Sequence, residues 1–174
     1  YSMETLFNHI YSKDGKIFLK ADHECEHVIV KEGVKTIASD AFDSCRAKRV
    51  TLPNSVQTIA PNAFLRARQL ETTVLQEGIT TIGSYAFQYC SSLTSVYITD
   101  VAAWCKITFN GYYSNPLFYA HHLFLHGEEI KDLVIPNSVT SIGSSAFYNC
   151  SSLTSVTIGN SVTSIGEYAF LCCT

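Results

Sequence analysis

The sequence has few charged residues, and neither sign of charge dominates. Asp, Glu, Lys and Arg make up 16% of its 174 residues, and the formal net charge is -3. Proteins that bind DNA or RNA carry a concentrated basic field, so this balance excludes nucleic acid as the main partner. There is no run of about 18 apolar residues, so we expect no membrane insertion. No signal peptide is visible, because Tyr1 opens a polar, mixed stretch, and this leaves the location of the protein open.

Signatures of catalysis are equally scarce. The sequence has no glycine-rich phosphate loop, no hydrolase nucleophile motif and no Cys-X-X-Cys pair among its seven cysteines. None of its polar clusters has zinc-ligand spacing or a neighbour that would lower a thiol pKa, and the glutamate pair follows Gly127 in an expected turn. We therefore predict no catalytic residue, no metal and no cofactor at the three clusters that could suggest them: His121, His122 and His126; His23, Cys25 and His27; Glu128 and Glu129.

An internal repeat is the strongest signal in the sequence. An Ala-Phe pair recurs with its phenylalanine at positions 42, 64, 87, 147 and 170, so that the spacings are 22, 23, 60 and 23 residues. Aliphatic residues recur five, eight and twelve positions before each of these phenylalanines, as in Ile165, Val162 and Ile158. A unit of about 23 residues cannot bury its own apolar side, so the units must stack. The pattern predicts a mostly β solenoid with a parallel sheet and short helical or 3₁₀ turns.

Each unit divides into a strand, a turn and a return path. The segment 153–158 supplies β-branched residues for the strand, and Gly159-Asn160-Ser161 supplies the turn. The phenylalanines are expected to form an internal ladder. Small residues recur three positions after each phenylalanine, and because free cysteine packs as a small apolar residue, we expect a reduced core ladder: Cys45, Ala67, Cys90, Cys150 and Cys173.

Two stretches depart from the repeat. Residues 1–26 carry a hairpin signal, Asp14-Gly15 between apolar-rich runs, and are expected to cap or precede the coils of residues 27–174. An irregular unit at about 99–130 has roughly 14 extra residues and lacks the Ala-Phe pair. Val101, Trp104 and Ile107 share one helical face there, so we expect the tryptophan to fill the core. A loop and a short strand near residues 123–125 should follow.

The residues that flank the inward strand positions predict an outward face. We expect a contact surface there, because this face is more apolar than a plain strand requires, although the strand preference of Thr, Val and Tyr explains the row about equally well. The insert tyrosines, among them Tyr119, are second candidates. The candidate ligand-binding residues are His27, Ile29, Arg49, Thr51, Thr72, Val74, Ser95, Tyr97, Tyr112, Tyr113, Asp132 and Val134.

Three segments of the sequence resemble the BspA-like leucine-rich repeats, also called the Treponema pallidum type. They are SLTSVTIGNSVTSIGEYAFLCC at the end, IYSKDGK near the start, and DVAAWCKITF with YSNPLFYAHHLFLHGEEIKDLVIP in the middle. The resemblance covers nearly the whole chain. It implies a right-handed leucine-rich-repeat solenoid in a secreted or surface-anchored protein, associated with adhesion to host matrix proteins and with co-aggregation. It transfers no ligand and no functional residue.

Two functions follow as hypotheses. The first is an extracellular, non-catalytic, adhesin-type module that binds a host matrix protein or another microbial surface protein through its N-terminal half and its insert. The second is a stiff spacer that presents another domain away from the cell, as the bland Ser/Thr-rich last unit suggests. Because the sixth unit ends at Thr174 without a polar cap, we also expect either a longer natural chain or an end-to-end or dimer contact there.

Overall fold

The structure is a computed structural model that describes residues 7–174. Its first large sheet, called the front sheet, contains one strand from each coil up to and including the insert, followed by a short strand that turns back at the end of the insert. All but the last pair of neighbouring strands are parallel. Inward and outward side chains alternate along each strand, since the side-chain period of a strand is two. The strands, in chain order, are β3 (His27–Ile29), β5 (Arg49–Thr51), β7 (Thr72–Leu75), β9 (Ser95–Ile98), β11 (Leu123–Leu125) and β12 (Glu128–Glu129).

The second large sheet, called the back sheet, contains the return path of each coil. It begins with an antiparallel hairpin, as the Asp14-Gly15 pair predicts, and continues with parallel neighbours. The hairpin strand β2 therefore belongs to the solenoid itself, because it pairs directly with the first return strand. The strands are β1 (Ile10–Tyr11), β2 (Ile17–Lys20), β4 (Thr36–Ile37), β6 (Thr58–Ile59), β8 (Thr81–Ile82) and β10 (Thr108–Phe109).

Two successive β-turns surround each ladder phenylalanine. In the first coil the Ala41 amide donates to the Ala38 carbonyl at 3.2 Å, and the Cys45 amide donates to the Phe42 carbonyl at 3.1 Å. The turns are as tight as expected, but they are not helical. A left-handed residue, which costs about 1–2 kcal/mol, stands at the third position of each turn. These residues recur two before and two after the phenylalanine: Asp40, Ser44, Asn62, Arg66, Tyr85, Tyr89, Ser145, Asn149, Tyr168 and Cys172.

The core is continuous from the hairpin to the last coil. Phe18, from the hairpin, stacks on Phe42 with 5.1 Å between ring centroids, so the core crosses the predicted boundary between residues 26 and 27 without a break. The stack continues through Phe64 and Phe87 at 4.4 and 4.7 Å, which confirms the phenylalanine ladder. The first six residues of the predicted capping segment lie outside the described residues.

The insert forms a coil of its own. Its return strand β10 pairs with β8, and its front strand β11 pairs with β9. Helix α1 (Val101–Cys105) begins at Asp100, whose side chain accepts the Ala103 amide, and it places Trp104 in the core at 2% exposure, as predicted. The expected loop contains a 3₁₀ turn (Tyr112–Ser114) and helix α2 (Leu117–Ala120).

After the insert, both sheets are interrupted. The last two coils form two separate parallel pairs, β13 (Asp132–Val134) with β15 (Ser155–Thr157) and β14 (Ser141–Ile142) with β16 (Ser164–Ile165). Side chains of the insert and of the coil that follows bridge this junction. The Trp104 Nε1 donates to the Ala146 carbonyl at 2.8 Å, and the Asn115 Nδ2 donates to the Ser145 and Ala146 carbonyls at 2.8 and 3.0 Å.

Candidate functional site

The predicted front-face residues lie on the outer side of the front strands. His27, Ile29, Arg49, Asp132 and Val134 are exposed, and Ile29 and Val134 expose 45% and 62% of their surface. The other five predicted residues on these strands are only half-buried, because their neighbours in the sheet pack beside them: Thr51, Thr72, Val74, Ser95 and Tyr97.

Cross-strand contacts satisfy much of the polar capacity of this face. The His27 Nε2 lies 3.3 Å from the Thr51 hydroxyl, and the Thr72 and Ser95 hydroxyls lie 3.2 Å apart. Tyr97 stacks on Phe124 of β11 with 4.8 Å between centroids. Such pairs stabilise a sheet. A partner that binds the front face would therefore contact mainly the exposed side chains on its outermost strands, including the apolar groups of Ile29 and Val134.

The insert tyrosines belong to a different and denser cluster. Tyr112 and Tyr113 contact each other at 4.7 Å between centroids, and Phe118 lies 4.7 Å from Tyr113 and 5.9 Å from Tyr112. Tyr148, from the following coil, stacks on Tyr112 at 5.3 Å. We call the whole set the aromatic surface: Tyr85, Tyr112, Tyr113, Phe118, Tyr119 and Tyr148.

The aromatic surface is composed of turns and short helices. Tyr85 lies two positions before Phe87, in the left-handed place of a β-turn, and is 51% exposed. Tyr112, on the 3₁₀ turn, is 39% exposed, while Phe118 on α2 is half-buried between its neighbours. Tyr148 directly follows Phe147. Consecutive coils thus present rings side by side at the turns of the solenoid.

Hydrogen bonds hold these rings in position. The Tyr119 hydroxyl accepts the Tyr89 amide at 3.0 Å, and burial raises the pKa of Tyr119. The Asn115 Oδ1 accepts the Leu117 amide at 2.9 Å and so fixes the start of α2, which carries Phe118. The Asn149 Nδ2 donates to the Phe118 carbonyl at 2.9 Å from the next coil. The cluster is therefore anchored on both sides of the junction.

The BspA type leucine rich repeat region matches this chain in six copies, over residues 15–114 and 120–174. The chain belongs to this family. The repeat and the family were both predicted from the sequence, and the stack of parallel coils confirms the leucine-rich-repeat fold.

Solved leucine-rich-repeat proteins from bacteria share the fold. A leucine rich cell surface protein from Faecalibacterium prausnitzii is 25% identical with a TM-score of 0.55, covering 95% of this chain and 44% of that one. The Treponema pallidum leucine rich repeat protein is 24% identical with a TM-score of 0.50, covering 93% and 79%. One from Eubacterium ventriosum is 18% identical with a TM-score of 0.58, covering 94% and 48%. The chain thus spans less than half of the first and third of these proteins. No curated protein matches it.

The repeat thiols serve the packing of this leucine-rich-repeat solenoid. The Cys90 Sγ donates to the Phe64 carbonyl of the preceding coil at 3.2 Å, and the Cys173 Sγ donates to Phe147 in the same way at 3.0 Å. Burial raises the pKa of Cys90 to about 12, which disfavours a nucleophilic thiolate. Cys25 lies in the core as predicted, at 4% exposure, and its Sγ lies 3.1 Å from the His27 carbonyl oxygen. All seven cysteines lie in the described part of the chain, and none forms a disulfide.

The other candidate clusters have structural surroundings. His121 contacts the Asn149 carbonyl, and His122 pairs with Glu129. The expectation that Glu128 and Glu129 lie in a turn was wrong: they form strand β12, which pairs antiparallel with β11, because the turn closes one residue earlier, at His126 and Gly127. Within residues 7–174, no group of three or more His, Cys, Asp or Glu is placed to hold a metal ion, and no helix could cross a membrane.

Sequence reasoning missed four aromatic residues of these surfaces. Phe124 extends the front face beside Tyr97, and Tyr85, Phe118 and Tyr148 complete the aromatic surface. A signal was present for two of them, because Tyr85 and Tyr148 hold fixed offsets from ladder phenylalanines that must stack from coil to coil. The position of Phe118 depends on the path of the insert, which has no repeat to follow.

Proposed function

We propose that this chain is an extracellular, non-catalytic, protein-binding module of the adhesin type, in a bacterial surface or secreted protein. The aromatic surface is the single observation that carries the proposal. Two of its six rings, Tyr85 and Tyr112, are exposed and the other four are half-buried. Aromatic clusters at the surface are enriched at protein interfaces. The description of the Faecalibacterium relative as a cell surface protein supports the location.

The geometry suits binding because the rings are ordered before a partner arrives. Tyr112, Phe118 and Tyr148 stack on one another at 5.3–5.9 Å, with interplanar angles of 11–24°. Side chains that are already ordered lose little conformational entropy on binding, so more of the contact free energy contributes to affinity. The tyrosine hydroxyls add directional hydrogen bonds at the rim. A host matrix protein or another microbial surface protein is the partner class we propose.

The front face is the second part of the proposed surface. Ile29 and Val134 are its most exposed apolar groups, and Arg49 and Asp132 supply charges of opposite sign on different strands. The ten predicted front-face residues remain candidates for ligand contact: His27, Ile29, Arg49, Thr51, Thr72, Val74, Ser95, Tyr97, Asp132 and Val134.

The test is a binding panel with matched variants. Purified protein is passed over immobilised matrix proteins, mucins and glycans by surface plasmon resonance. The double variant Tyr112→Ser with Tyr148→Ser should weaken saturable binding to a panel protein by about tenfold or more, as for aromatic residues at an interface centre. Ile10→Ser, which removes an exposed apolar group on the back-sheet hairpin, should leave the affinity unchanged.

Other outcomes would point elsewhere. If Val74→Glu abolishes binding while the double tyrosine variant retains it, the front face is the binding site. If the folded protein binds no member of a broad panel, the proposal fails and the spacer function is favoured. One feature already fits a spacer: the front strand of the last coil exposes only small polar groups outward, Ser155 and Thr157.

A further inference from the structure

The front sheet has a break at the junction after the insert. Strand β11 pairs with β9 on one side and with the two-residue strand β12 on the other. Strand β13 begins three residues after β12 ends, yet its only strand partner in the described chain is β15. Two strand edges therefore face each other across a gap, joined at one end by Ile130 and Lys131.

Within residues 7–174, the backbone groups on the edge of β13 that faces the gap have no partner. In a parallel strand, the backbone groups of alternate residues form hydrogen bonds to opposite neighbouring strands. In β13 and its flanks, the odd-numbered residues face β15. The Lys131 carbonyl accepts the Ser155 amide at 3.2 Å, and the Ile135 amide donates to Thr157 at 2.9 Å. The intervening residues Asp132 and Val134 direct their amides and carbonyls toward the gap. Such an edge is a template for an added strand.

The gap is a cleft of about 480 Å³, which admits a few residues of extended chain. Val101, Leu125, Ile130 and Val134 supply its apolar lining. Val134 is exposed over 62% of its surface, although it stands on a strand edge beside the core. Contact with an apolar side chain of an added strand would bury the exposed surface of Val134 and so stabilise the pair of strands.

The charges of the cleft are predominantly negative. Glu128, Glu129 and Asp132 line it, against Lys131 alone. Hydrogen bonds from Ser155 and Thr154 lower the pKa of Asp132, so this carboxylate is ionised near neutral pH. The Glu129 carboxylate pairs with His122, and the Glu128 side chain is exposed. A cationic partner is complementary to this lining.

We propose that this cleft binds an extended, cationic segment of a partner protein, which adds to the free edge of β13 as a strand. Backbone hydrogen bonds to Asp132 and Val134 would supply affinity, and alternating aliphatic and basic side chains would match Val134 and the carboxylates. The cleft is distinct from the aromatic surface. It shares Asp132 and Val134 with the front face, the second part of the proposed binding surface. The two proposals are tested with different ligands, a panel of matrix proteins, mucins and glycans for the first and a basic peptide for the second, so each can fail without the other.

The probe is a fluorescent peptide of about nine residues that alternates lysine and valine. A peptide with glutamate in place of lysine is its charge control. We expect saturable binding of the lysine peptide at low ionic strength, weakened by salt, and none of the glutamate peptide. On the protein, the Val134 amide should exchange with deuterium at least about tenfold more slowly when the lysine peptide is bound.

Two proline variants localise the binding. Val134→Pro removes an amide that has no partner among the described residues, and an edge strand tolerates proline at such a position. It should weaken binding of the lysine peptide by about tenfold or more. Ile29→Pro is the matched control. It holds the same repeat position on β3, another front strand with a single strand partner among residues 7–174, where the flanking Glu26 and Val30 bond to β5. Its affinity for the lysine peptide should equal that of the wild type, because the proposed added strand pairs with β13 and not with β3.

Several results would overturn the proposal. They are absence of binding by the wild-type protein, equal affinity for the glutamate peptide, and peptide binding without slower exchange at Val134. Loss of binding in Ile29→Pro with retention in Val134→Pro would place the added strand on β3 instead. The exchange experiment uses the wild-type protein, so it decides the matter even if Val134→Pro does not fold.

Discussion

The regular coils and the insert are joined to their neighbours in different ways. Between regular coils, backbone groups pair in the front sheet, in the back sheet and at the turns, where the Phe42 amide donates to the Ala63 carbonyl at 2.8 Å and the Phe64 amide donates to Ala86 at the same distance. Between the insert and the following coil, the bonds come largely from side chains, with a backbone bond from Gly143 to Cys105 at 3.0 Å.

The difference separates two kinds of sequence constraint. Backbone hydrogen bonds between coils do not depend on the identity of the side chains, so exposed positions of the regular coils can vary without loss of the fold. The insert junction depends on particular donors, Trp104, Asn115 and Asn149, and each could be lost through one substitution. The hydrogen bonds of Asn115 and Asn149 that join the coils there also hold the aromatic surface in position. The insert is therefore the place where structure and proposed function depend on the same residues.

The largest effect should follow from Trp104→Ala. It removes a ring that is 2% exposed and a hydrogen bond to Ala146, and such truncations cost about 3–5 kcal/mol. Phe64→Ala, in the regular coils, should cost a similar amount. Hydrogen exchange separates the two variants: Trp104→Ala should speed exchange most in β13 to β16, and Phe64→Ala should do so in β3 to β8. Equal acceleration everywhere in both variants would contradict a special junction.

The second-largest effect should come from Asn115→Leu, which removes hydrogen bonds at the insert junction but keeps the packing volume. Asn115 is fully buried and makes three bonds, to Ser145, Ala146 and Leu117. Asn115→Leu keeps the approximate volume but leaves the Leu117 amide unpaired and removes one of the two donors of each of the Ser145 and Ala146 carbonyls. We expect a loss of about 3 kcal/mol in the free energy of unfolding. Asn110→Leu, at an exposed site nearby, is the control and should change stability little. Urea unfolding measures both, and a neutral Asn115→Leu would show that the bonds are dispensable.

A third substitution should stabilise a regular coil. Thr73 is 1% exposed, and its hydroxyl has no hydrogen-bond partner in the described structure, whereas Val28, Val50 and Val96 hold the same position in other coils. Thr73→Val removes a buried unpaired polar group at nearly constant volume. We expect a gain of about 1–2 kcal/mol. An unchanged or lowered urea midpoint would mean that the hydroxyl is satisfied.

The smallest effect concerns the thiol ladder. Cys90→Ala removes the bond to Phe64 and one sulfur atom, for an expected loss of about 1 kcal/mol. Cys172→Ala, at an exposed site, should be neutral. In the native protein at pH 8, Ellman's reagent should react rapidly with Cys172 and slowly with Cys90, Cys105 and Cys150, because burial raises the pKa of these three to about 11 or 12. Rapid reaction of all seven thiols would contradict the buried ladder.

The repeat made most of the fold predictable. Constant offsets from Phe42 to Phe170 identify the inward positions, so the stacked phenylalanines, the core thiols and the parallel coils follow from the sequence. The break between β12 and β13 does not follow, since the repeat resumes normally at Leu133 and shows no local irregularity. The left-handed turn positions were also hidden, because residues as different as Asp40 and Tyr85 occupy them.

The candidate site was less predictable than the fold. Outward positions of the front strands follow from the period of two, and the structure places those residues on the outer face. The aromatic surface combines residues from three coils, and the contact between Tyr112 and Tyr148 depends on how the insert folds. Whether any of these residues binds a partner stays a prediction.

The insert is an integral coil, joined to the rest of the solenoid by the side chains of Trp104 and Asn115. The most direct test is urea unfolding of the wild-type protein, followed by fluorescence of its only tryptophan and by far-ultraviolet circular dichroism. An integral insert predicts a single midpoint for both signals, because Trp104 becomes exposed only when the strands unfold. Exposure of Trp104 at a clearly lower urea concentration than the loss of strand signal would show that the insert unfolds separately from the regular coils.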